Sequence, residues 1–283
     1  MTTRAHGEMD KDKKISTELE ADQAELAELL GAAIAPLDVP GVRRERLRGR
    51  LLERVAASAA RHARTICVRM SDGFWRKLKN GVEVKALHAG ASGNSVLIRM
   101  AAGSALPVHR HRWLEEGIIL DGSFRIEGQD LKPGDYHVSP AGSLHGKITS
   151  PEGGFAYLRG TAIGNKEAMA RELLGGLLPF GARQAITVTA DRFDWKPLAQ
   201  GVDAHVVWSE GASESRFVRL APGASWQPPA GAGDAEVIVV SGEAFVGDLL
   251  LRHGDFALEP AGGTIGRISS DVGCVLFLRG PAA

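Results

Sequence analysis

The chain has 283 residues, of which 44% are hydrophobic and 24% are charged, proportions that are ordinary for a soluble globular protein. Its 34 basic and 34 acidic residues cancel, so no net field draws it to nucleic acid or to a membrane surface. No apolar stretch approaches the roughly 20 residues that span a bilayer, and the N-terminus lacks the apolar core of a secretory signal. The two cysteines, Cys67 and Cys274, form no disulfide framework. We therefore expect a cytoplasmic protein with no direct nucleic-acid or membrane partner.

The N-terminal part of the chain has a helical pattern. Residues 1–15 are polar and charged, which is typical of a disordered lead-in. A helical region is predicted over residues 16–66, because apolar residues recur there at helical spacing. It contains a first helix over 16–35 and a second over 42–64, separated by prolines that interrupt the pattern.

The second of these helices is dense in positive charge. Leu47, Leu51 and Val55 share one face at intervals of four residues. The helix also carries eight arginines, which are Arg43, Arg44, Arg46, Arg48, Arg50, Arg54, Arg61 and Arg64. Such a run is either a solvated helix face or a docking surface for an acidic partner.

From about residue 70 the chain is an all-β sequence that is repeated once. Short β-branched runs alternate with turn residues at intervals of about ten residues. A shift of 120 residues superimposes the turns of one half on the other without a gap, for example Gly81 on Gly201 and Gly134 on Gly254. We predict two copies of one β domain, at residues 70–162 and 181–283, joined by a helical connector at residues 163–180.

The first copy carries residue types that bind divalent transition metals. His109 and His111 alternate on one strand and so point to the same side. Glu115 lies where the next strand begins, and His145 comes from a separate hairpin. A closed barrel brings inward faces of several strands around one interior. We predict that His109, His111, Glu115 and His145 bind one divalent metal ion.

The donor set is compatible with several metals. Three imidazoles and one carboxylate suit zinc, iron, manganese, nickel or copper. Four ligands close a tetrahedral zinc site, whereas octahedral iron or manganese keeps two positions for a substrate or O₂. Zinc is the preferred ion, with iron, manganese or nickel as alternatives.

Two sequence patterns around these residues resemble the motifs of the cupin superfamily. Residues 103–122 read G-x5-H-x-H-x3-E-x6-G, and residues 134–145 read G-x5-P-x-G-x2-H. The second motif of the superfamily usually ends with Asn, where this chain has Thr149. The resemblance implies a mainly β protein, with two tandem double-stranded β-helix (cupin, or jelly-roll) barrels preceded by a short α-helical N-terminal region.

Two shorter segments are similar to the sequences of the cupin anti-sigma factors of the ChrR type. They are H-R-H-x3-E-E at residues 109–116 and L-R-x-R-L-L-x-R-V at residues 47–55. In that family an N-terminal domain holds an alternative sigma factor, and the metal-bearing cupin senses oxidative stress. The family's N-terminal domain generally has its own zinc motif with a Cys-x2-Cys pair, which this chain lacks. The resemblance implies that residues 16–66 bind a sigma factor or another regulatory protein.

The second copy lacks the donor residues. Its side chains at the four ligand registers are Pro229, Gly231, Ala235 and Ile265. The turn residues of the barrel are retained, so we expect the same fold without a metal. The C-terminal cupin is accordingly predicted to be structural or to form a homodimer.

Other residues near the motifs are weaker candidates for the site. Glu116, directly after a predicted ligand, is a candidate to support the site from behind. Alternation along the strand points it away from Glu115, however, and a solvated or rim position is the alternative. His137 is expected to be a packed or surface histidine rather than a site residue, and Tyr136 to be a core residue. A redox role for Cys67 is an alternative to a purely structural one.

Two functions are consistent with these observations. The first is a regulatory or sensor bicupin of the ChrR type, with a small molecule or oxidant acting at the metal. The second is an enzyme, a non-haem metal-dependent dioxygenase of a small diketone or phenolic substrate, since such enzymes share the ligand set. A storage or structural bicupin is a third alternative. The helical region ahead of the barrels favours the regulator.

Overall fold

A computed structural model describes most of the chain, namely residues 23–29, 31, 40–177, 183–231 and 233–282. The chain divides into two compact units, Met1–Ala60 and Arg61–Ala283. The predicted lead-in at residues 1–15 lies outside the described residues, as do both ends of the first predicted helix and residues 178–182. No helix in the described ranges has the length and apolar composition that crossing a membrane requires.

The smaller unit is helical where it is described. Residues 23–29 and 31 are helical, and helix α1, Gly41–Arg61, confirms the second predicted helix. α1 starts after Pro40, whose carbonyl accepts the N–H of Arg44 at 2.9 Å, and proline is well tolerated where a helix begins. None of the residues of α1 is buried.

The larger unit consists of two β barrels built in the same order. The strands of the first repeat copy are β1 (Ile66–Val68), β2 (Arg76–Lys79), β3 (Val82–Gly90), β4 (Gly93–Met100), β5 (Ser104–Leu106), β6 (His109–Arg110), β7 (Glu115–Gly122), β8 (Phe124–Ile126), β9 (Gln129–Leu131), β10 (Tyr136–Ser139), β11 (Leu144–His145), β12 (Ile148–Ser150) and β13 (Gly154–Thr161). Helix α2, Lys166–Gly175, follows them. It is capped by Asn165, whose side chain accepts the N–H of Ala168.

The second copy repeats this order at the predicted shift. Its strands are β14 (Ile186–Val188), β15 (Lys196–Ala199), β16 (Val202–Glu210), β17 (Ser213–Leu220), β18 (Ala224–Trp226), β19 (Ala235–Val246), β20 (Leu249–Arg252), β21 (Phe256–Glu259), β22 (Ile268–Ser270) and β23 (Cys274–Pro281). The turns explain the matched glycines. Gly122 has φ +69°, and a Cβ there would lie 2.1 Å from the carbonyl oxygen of Gly153, so only glycine fits the turn.

Each barrel has one large antiparallel sheet, and the two sheets exchange their first strands. The first sheet runs β14-β10-β7-β13-β4-β3-β2, and the second runs β1-β21-β19-β23-β17-β16-β15. β14 therefore comes from the second copy but pairs in the first barrel, and β1 does the reverse. Two matched carboxylates hold the exchanged segments: Asp135 accepts the N–H of Ala190 at 2.8 Å, and Asp255 accepts that of Met70 at 2.7 Å. The exchange makes each barrel depend on the other for a complete sheet.

Alternation along the strands of the large sheets produces three apolar layers. Ile119, Ile98 and their neighbours fill the interior of the first barrel, and a matching cluster fills the second. The opposite faces pack together in a third cluster to which both barrels contribute, including Ile118, Tyr136 and Phe277. The back of each large sheet is therefore buried against the other barrel.

Candidate metal centre

A two-stranded ladder positions two of the predicted ligands. In the pairing of β6 with β11, His109 lies directly opposite His145. His111 follows β6 and is held by two backbone hydrogen bonds: its N–H donates to the carbonyl of Ser143 at 3.0 Å, and its carbonyl accepts the N–H of Gly142 at 2.8 Å. The two segments of the predicted site therefore form a single framework.

Glu115 enters from a different sheet. It is the first residue of β7 and is 9% exposed. It lines the barrel cavity together with Gly117 and Ile119, as expected for alternate residues of one strand. The turn between His111 and Glu115 thus brings a carboxylate from the large sheet to the imidazoles of the small one.

The structure brings three of the four predicted ligands into one group. The potential ligand atoms of His109, His111 and Glu115 all lie within 4.8 Å of one another. The ring of His145 lies next to this group, with its centroid 5.4 Å from those of both His109 and His111. Its role as fourth ligand stays a prediction.

The hydrogen bonds of the rings leave one nitrogen of each imidazole for a metal. Nδ1 of His109 donates to the carbonyl of Pro107 at 2.9 Å, and Nδ1 of His145 donates to that of Gly146 at 3.2 Å. Metal-binding histidines are typically oriented in this way, with the other nitrogen free to ligate. Nε2 of His111 is buried and has no hydrogen-bond partner, which is costly unless a ligand satisfies it.

Burial keeps the imidazoles of His111 and His145 neutral. Desolvation, followed by the nearby His109, lowers the pKa of His111 to about 3. Desolvation and the surrounding histidines likewise lower the pKa of His145 to about 3. Since a metal binds only the neutral ring, little proton displacement is needed. Neutral imidazoles with one carboxylate suit a divalent transition metal, so the residues fit such an ion.

Both halves of the chain match one protein family. The family described as the ChrR cupin-like domain matches residues 63–162 and again residues 183–282, more than half of the chain. The chain belongs to the ChrR cupin-like family. A curated relative, the anti-sigma-E factor ChrR of Cereibacter sphaeroides, is 35% identical over 71 residues, which are 25% of this chain and 33% of that protein. The match therefore spans about a third of that relative's length.

Solved structures support the bicupin fold of this family member. A Nostoc punctiforme protein provisionally assigned as a dioxygenase aligns with a TM-score of 0.55 at 15% identity, covering 73% of this chain and 76% of that one. The E162A mutant of Bacillus subtilis oxalate decarboxylase aligns with a TM-score of 0.53 at 19% identity, covering 76% of each chain. At these identities the likeness concerns the fold alone.

A fourth histidine of this cupin lies at the site but has both ring nitrogens engaged. His137 is 7% exposed, and its ring centroid is 4.9 Å from that of His145. Its Nδ1 is hydrogen-bonded to Thr187 on the exchanged strand β14 at 2.9 Å, and its Nε2 to Ser139 at 3.3 Å. His137 is therefore buried rather than on the surface, but it lines the cavity beside the donor group. It differs from the predicted ligands in having no nitrogen to spare.

The first cupin contains an apolar cavity beside the donor group. Its volume is about 220 Å³, and it is lined by His109, Glu115, His137 and His145 at the polar part. Most of the remaining wall is apolar, including Leu78, Ile98, Leu106, Ile119, Phe124, Ile126, Ile148, Ala156, Leu158 and Ile163. The cavity can hold a small, largely apolar molecule.

The second cupin has a different interior at the ligand registers. Ala235 and Ile265 belong to its apolar core. At Gly231 an added Cβ would lie 1.8 Å from Pro281, so a histidine does not fit there. Across the described part of the chain, His109, His111 and Glu115 form the one group of three or more His, Cys, Asp or Glu residues that could hold a metal ion.

Glu116 corrects one expectation from the sequence. It does point away from Glu115, but it is 0% exposed, so the solvated or rim position is wrong. It accepts hydrogen bonds from Tyr136 at 2.7 Å and from Ser215 of the other barrel. Nothing in the sequence indicates that the second barrel covers that face.

A buried charge cluster joins the two cupins around Glu116. Arg159 lies 3.4 Å from Glu116 and donates from Nε to Glu236 at 2.9 Å. Glu236 also accepts from Ser95 and from Tyr157, both at 2.6 Å. Burial alone lowers the pKa of Arg159, but Glu236 and Glu116 outweigh it and hold the pKa above its ordinary value.

The buried histidines predict a pH-dependent stability of the metal-free protein. His111 and His145 have pKa values of about 3, and desolvation lowers that of His137 to about 4, against about 6.5 in an unfolded chain. Below pH 6.5 the unfolded state binds more protons, so the free energy of unfolding falls as the pH falls. We expect a loss of about 1 kcal/mol per histidine between pH 7.5 and 5.5, measured by urea unfolding in EDTA.

The contribution of one histidine to this pH-dependent loss of stability can be isolated. His137→Asn removes one of the three depressed groups, so the pH-dependent loss should shrink by about one third. An unfolding free energy that is flat between pH 7.5 and 5.5 in the unsubstituted protein would contradict the burial of neutral imidazoles.

Proposed function

We propose that this protein is a regulatory metal-binding bicupin of the anti-sigma type. Its first cupin binds one divalent ion, zinc by preference, through His109, His111, Glu115 and His145. Its second cupin binds no metal and serves a structural or dimerising role. Residues 16–66 bind a sigma factor or a similar regulatory protein in the cytoplasm.

The main support for the metal site is that the imidazole rings are held in place before an ion binds. His109 and His145 have Nδ1 anchored to backbone carbonyls, and His111 has a buried Nε2 without a partner. Fixing of the rings before binding reduces the ordering cost when an ion enters. A bound divalent ion would supply a positive centre at the polar part of the cavity, where an oxidant or a small molecule can act.

The surface of helix α1 supports the proposal that a protein partner binds there. Its apolar residues Leu47, Leu51 and Val55 are 48%, 59% and 57% exposed, and arginines flank them. An amphipathic helix with an uncovered apolar row is typical of a segment that binds a protein surface. The arginines favour an acidic surface around an apolar groove. The similarity to an anti-sigma factor points to a sigma factor as that partner.

The partner can be tested with a substitution in the apolar row of α1. Each sigma factor of the source organism is titrated into the purified full chain by calorimetry. We expect one to bind, and Leu51→Glu to weaken that complex at least tenfold, because it places a charge in the buried interface. Ala56→Glu, about half a turn around the same helix, is the control and should bind normally. If no sigma factor binds, or if both variants bind alike, the proposed partner is wrong.

The cavity favours a second candidate function, a metal-dependent dioxygenase of a small diketone or phenol. Its apolar wall beside the donors would exclude water from a reacting substrate. Metal content and O₂ uptake separate the two functions. Iron with substrate-dependent O₂ consumption would contradict the regulator, whereas stoichiometric zinc without O₂ uptake would contradict the dioxygenase.

A further inference from the structure

Helix α2 forms part of the wall of the first cavity. Met169, Glu172 and Leu173 line the cavity, and their spacing of three and four residues puts them on one face of the helix. The helix end is docked on the ligand strand, where Nε of Arg110 donates to the carbonyl of Gly175 at 3.2 Å. α2 therefore does more than connect the repeats, because it closes one side of the cavity next to His109.

The packing of α2 against the ligand strand is close. An added Cβ at Gly176 would lie 3.0 Å from the Cα of His109 and from the carbonyl oxygen of Val108. Contacts this short leave no room for a larger residue at that point. The position of α2 is thus tied to the strand that carries His109 and leads into His111.

Glu172 is a second carboxylate of the cavity, which the sequence analysis did not find. It is 7% exposed, and its Oε1 accepts the backbone N–H of Arg112 at 3.0 Å. No hydrogen-bond donor is assigned to its Oε2 within the described ranges. A carboxylate oxygen of a residue that lines a cavity can accept a hydrogen bond from a ligand there.

The charges of the cavity disfavour an anionic ligand. Its carboxylates are Glu115 and Glu172, and its one basic residue outside the histidines is Lys79, which is exposed and donates to the carbonyl of Ala105. The two carboxylates balance the charge of one divalent ion at the predicted site. An additional anion would be repelled by Glu172 across a cavity of low dielectric constant.

We propose that this cavity binds an apolar molecule with one uncharged hydroxyl group, whose O–H donates to Glu172 while its chain lies along the apolar wall. The charge of Glu172 thereby excludes ligands of the same chain length that end in a carboxylate. The inference rests on the proposed metal site, since the charge balance includes the ion. It is independent of the sigma-factor partner.

The selectivity can be measured by calorimetry on the zinc-loaded full chain with two probes of equal length, octan-1-ol and octanoate. We expect octan-1-ol to bind at least tenfold more tightly. Glu172→Gln removes the charge, and with its oxygen kept on the N–H of Arg112 it presents an NH2 group that donates to the hydroxyl oxygen instead. Octan-1-ol binding should therefore change less than threefold, while octanoate binding strengthens about tenfold. Glu167→Gln, on the exposed side of α2 where Glu167 pairs with Arg171, should leave both affinities unchanged.

A second pair of variants locates the binding. Met169→Trp, at a half-buried position of the lining, fills the cavity and should abolish octan-1-ol binding. Leu174→Trp, at an exposed position outside the lining, should not. Octanoate binding as tightly as octan-1-ol, or a Glu172→Gln variant with unchanged selectivity, would overturn the proposal. Failure of the chain to retain zinc would overturn the metal site as well, whereas retained zinc without octan-1-ol binding overturns this inference alone.

Discussion

Replacement of His111 by glutamine is expected to abolish tight metal binding. His111 is 2% exposed and has a buried nitrogen without a partner, so the ion is its natural complement. Loss of residues that merely orient ligands typically weakens metal affinity 10–100-fold, and we expect loss of this ligand to cost at least about 100-fold. The measurement is competition for zinc against a chelator of known affinity, followed by metal analysis.

The matched control is the same change at the neighbouring histidine. His137→Gln removes an equally buried imidazole, but both nitrogens of His137 already have hydroxyl partners. We expect its zinc affinity to stay within about tenfold of the unsubstituted protein, since the change removes no predicted ligand. Equal losses in the two variants would show that ring hydrogen bonding does not separate ligands from packed histidines here.

Replacement of Arg159 by leucine is expected to destabilise the whole β unit by about 3–5 kcal/mol. Arg159 bridges Glu116 and Glu236, whose side chains are 0% and 7% exposed. Its removal weakens the compensation of two buried carboxylates. Urea unfolding at neutral pH, followed by both circular dichroism and tryptophan fluorescence, measures the loss.

Two further variants sharpen this test. Arg252→Leu removes an ion pair with Glu243 whose side chains are 70% and 39% exposed, and such surface pairs contribute about 0–1 kcal/mol. Glu236→Gln added to Arg159→Leu should recover part of the stability, because it removes one of the uncompensated charges. A loss below about 1 kcal/mol for Arg159→Leu would show that the carboxylates are compensated without it, by water or by Arg279, whose Nε lies 3.9 Å from Glu116.

The buried cluster and the exchanged strands make the cupins interdependent. β14 of the second copy completes the sheet that carries Glu115, and Thr187 on that strand bonds His137 beside the donor group. Residues of the second cupin thus help to shape the surroundings of the predicted metal site. This explains how a copy without the predicted ligands can still be required by the copy that has them.

Much of the molecule could be predicted from local sequence. The shift of 120 residues identified two copies of one domain, since turn glycines are required wherever φ is positive. The spacing of His109, His111 and Glu115 placed their side chains on inward faces of strands, and the structure brings these three together. Period, turn chemistry and alternation are local properties, and a sequence records them directly.

Only the tertiary structure decided how the other faces are used. Alternation correctly pointed Glu116 away from the cavity, but the second barrel covers that face and buries the carboxylate with Arg159. Glu172 lies 27 positions beyond His145 and joins the cavity because α2 docks on β6. The exchange of β1 and β14 is likewise invisible in a repeat whose copies share the strands of the large sheet. These features depend on which surfaces meet, and that is set by packing between segments distant in sequence.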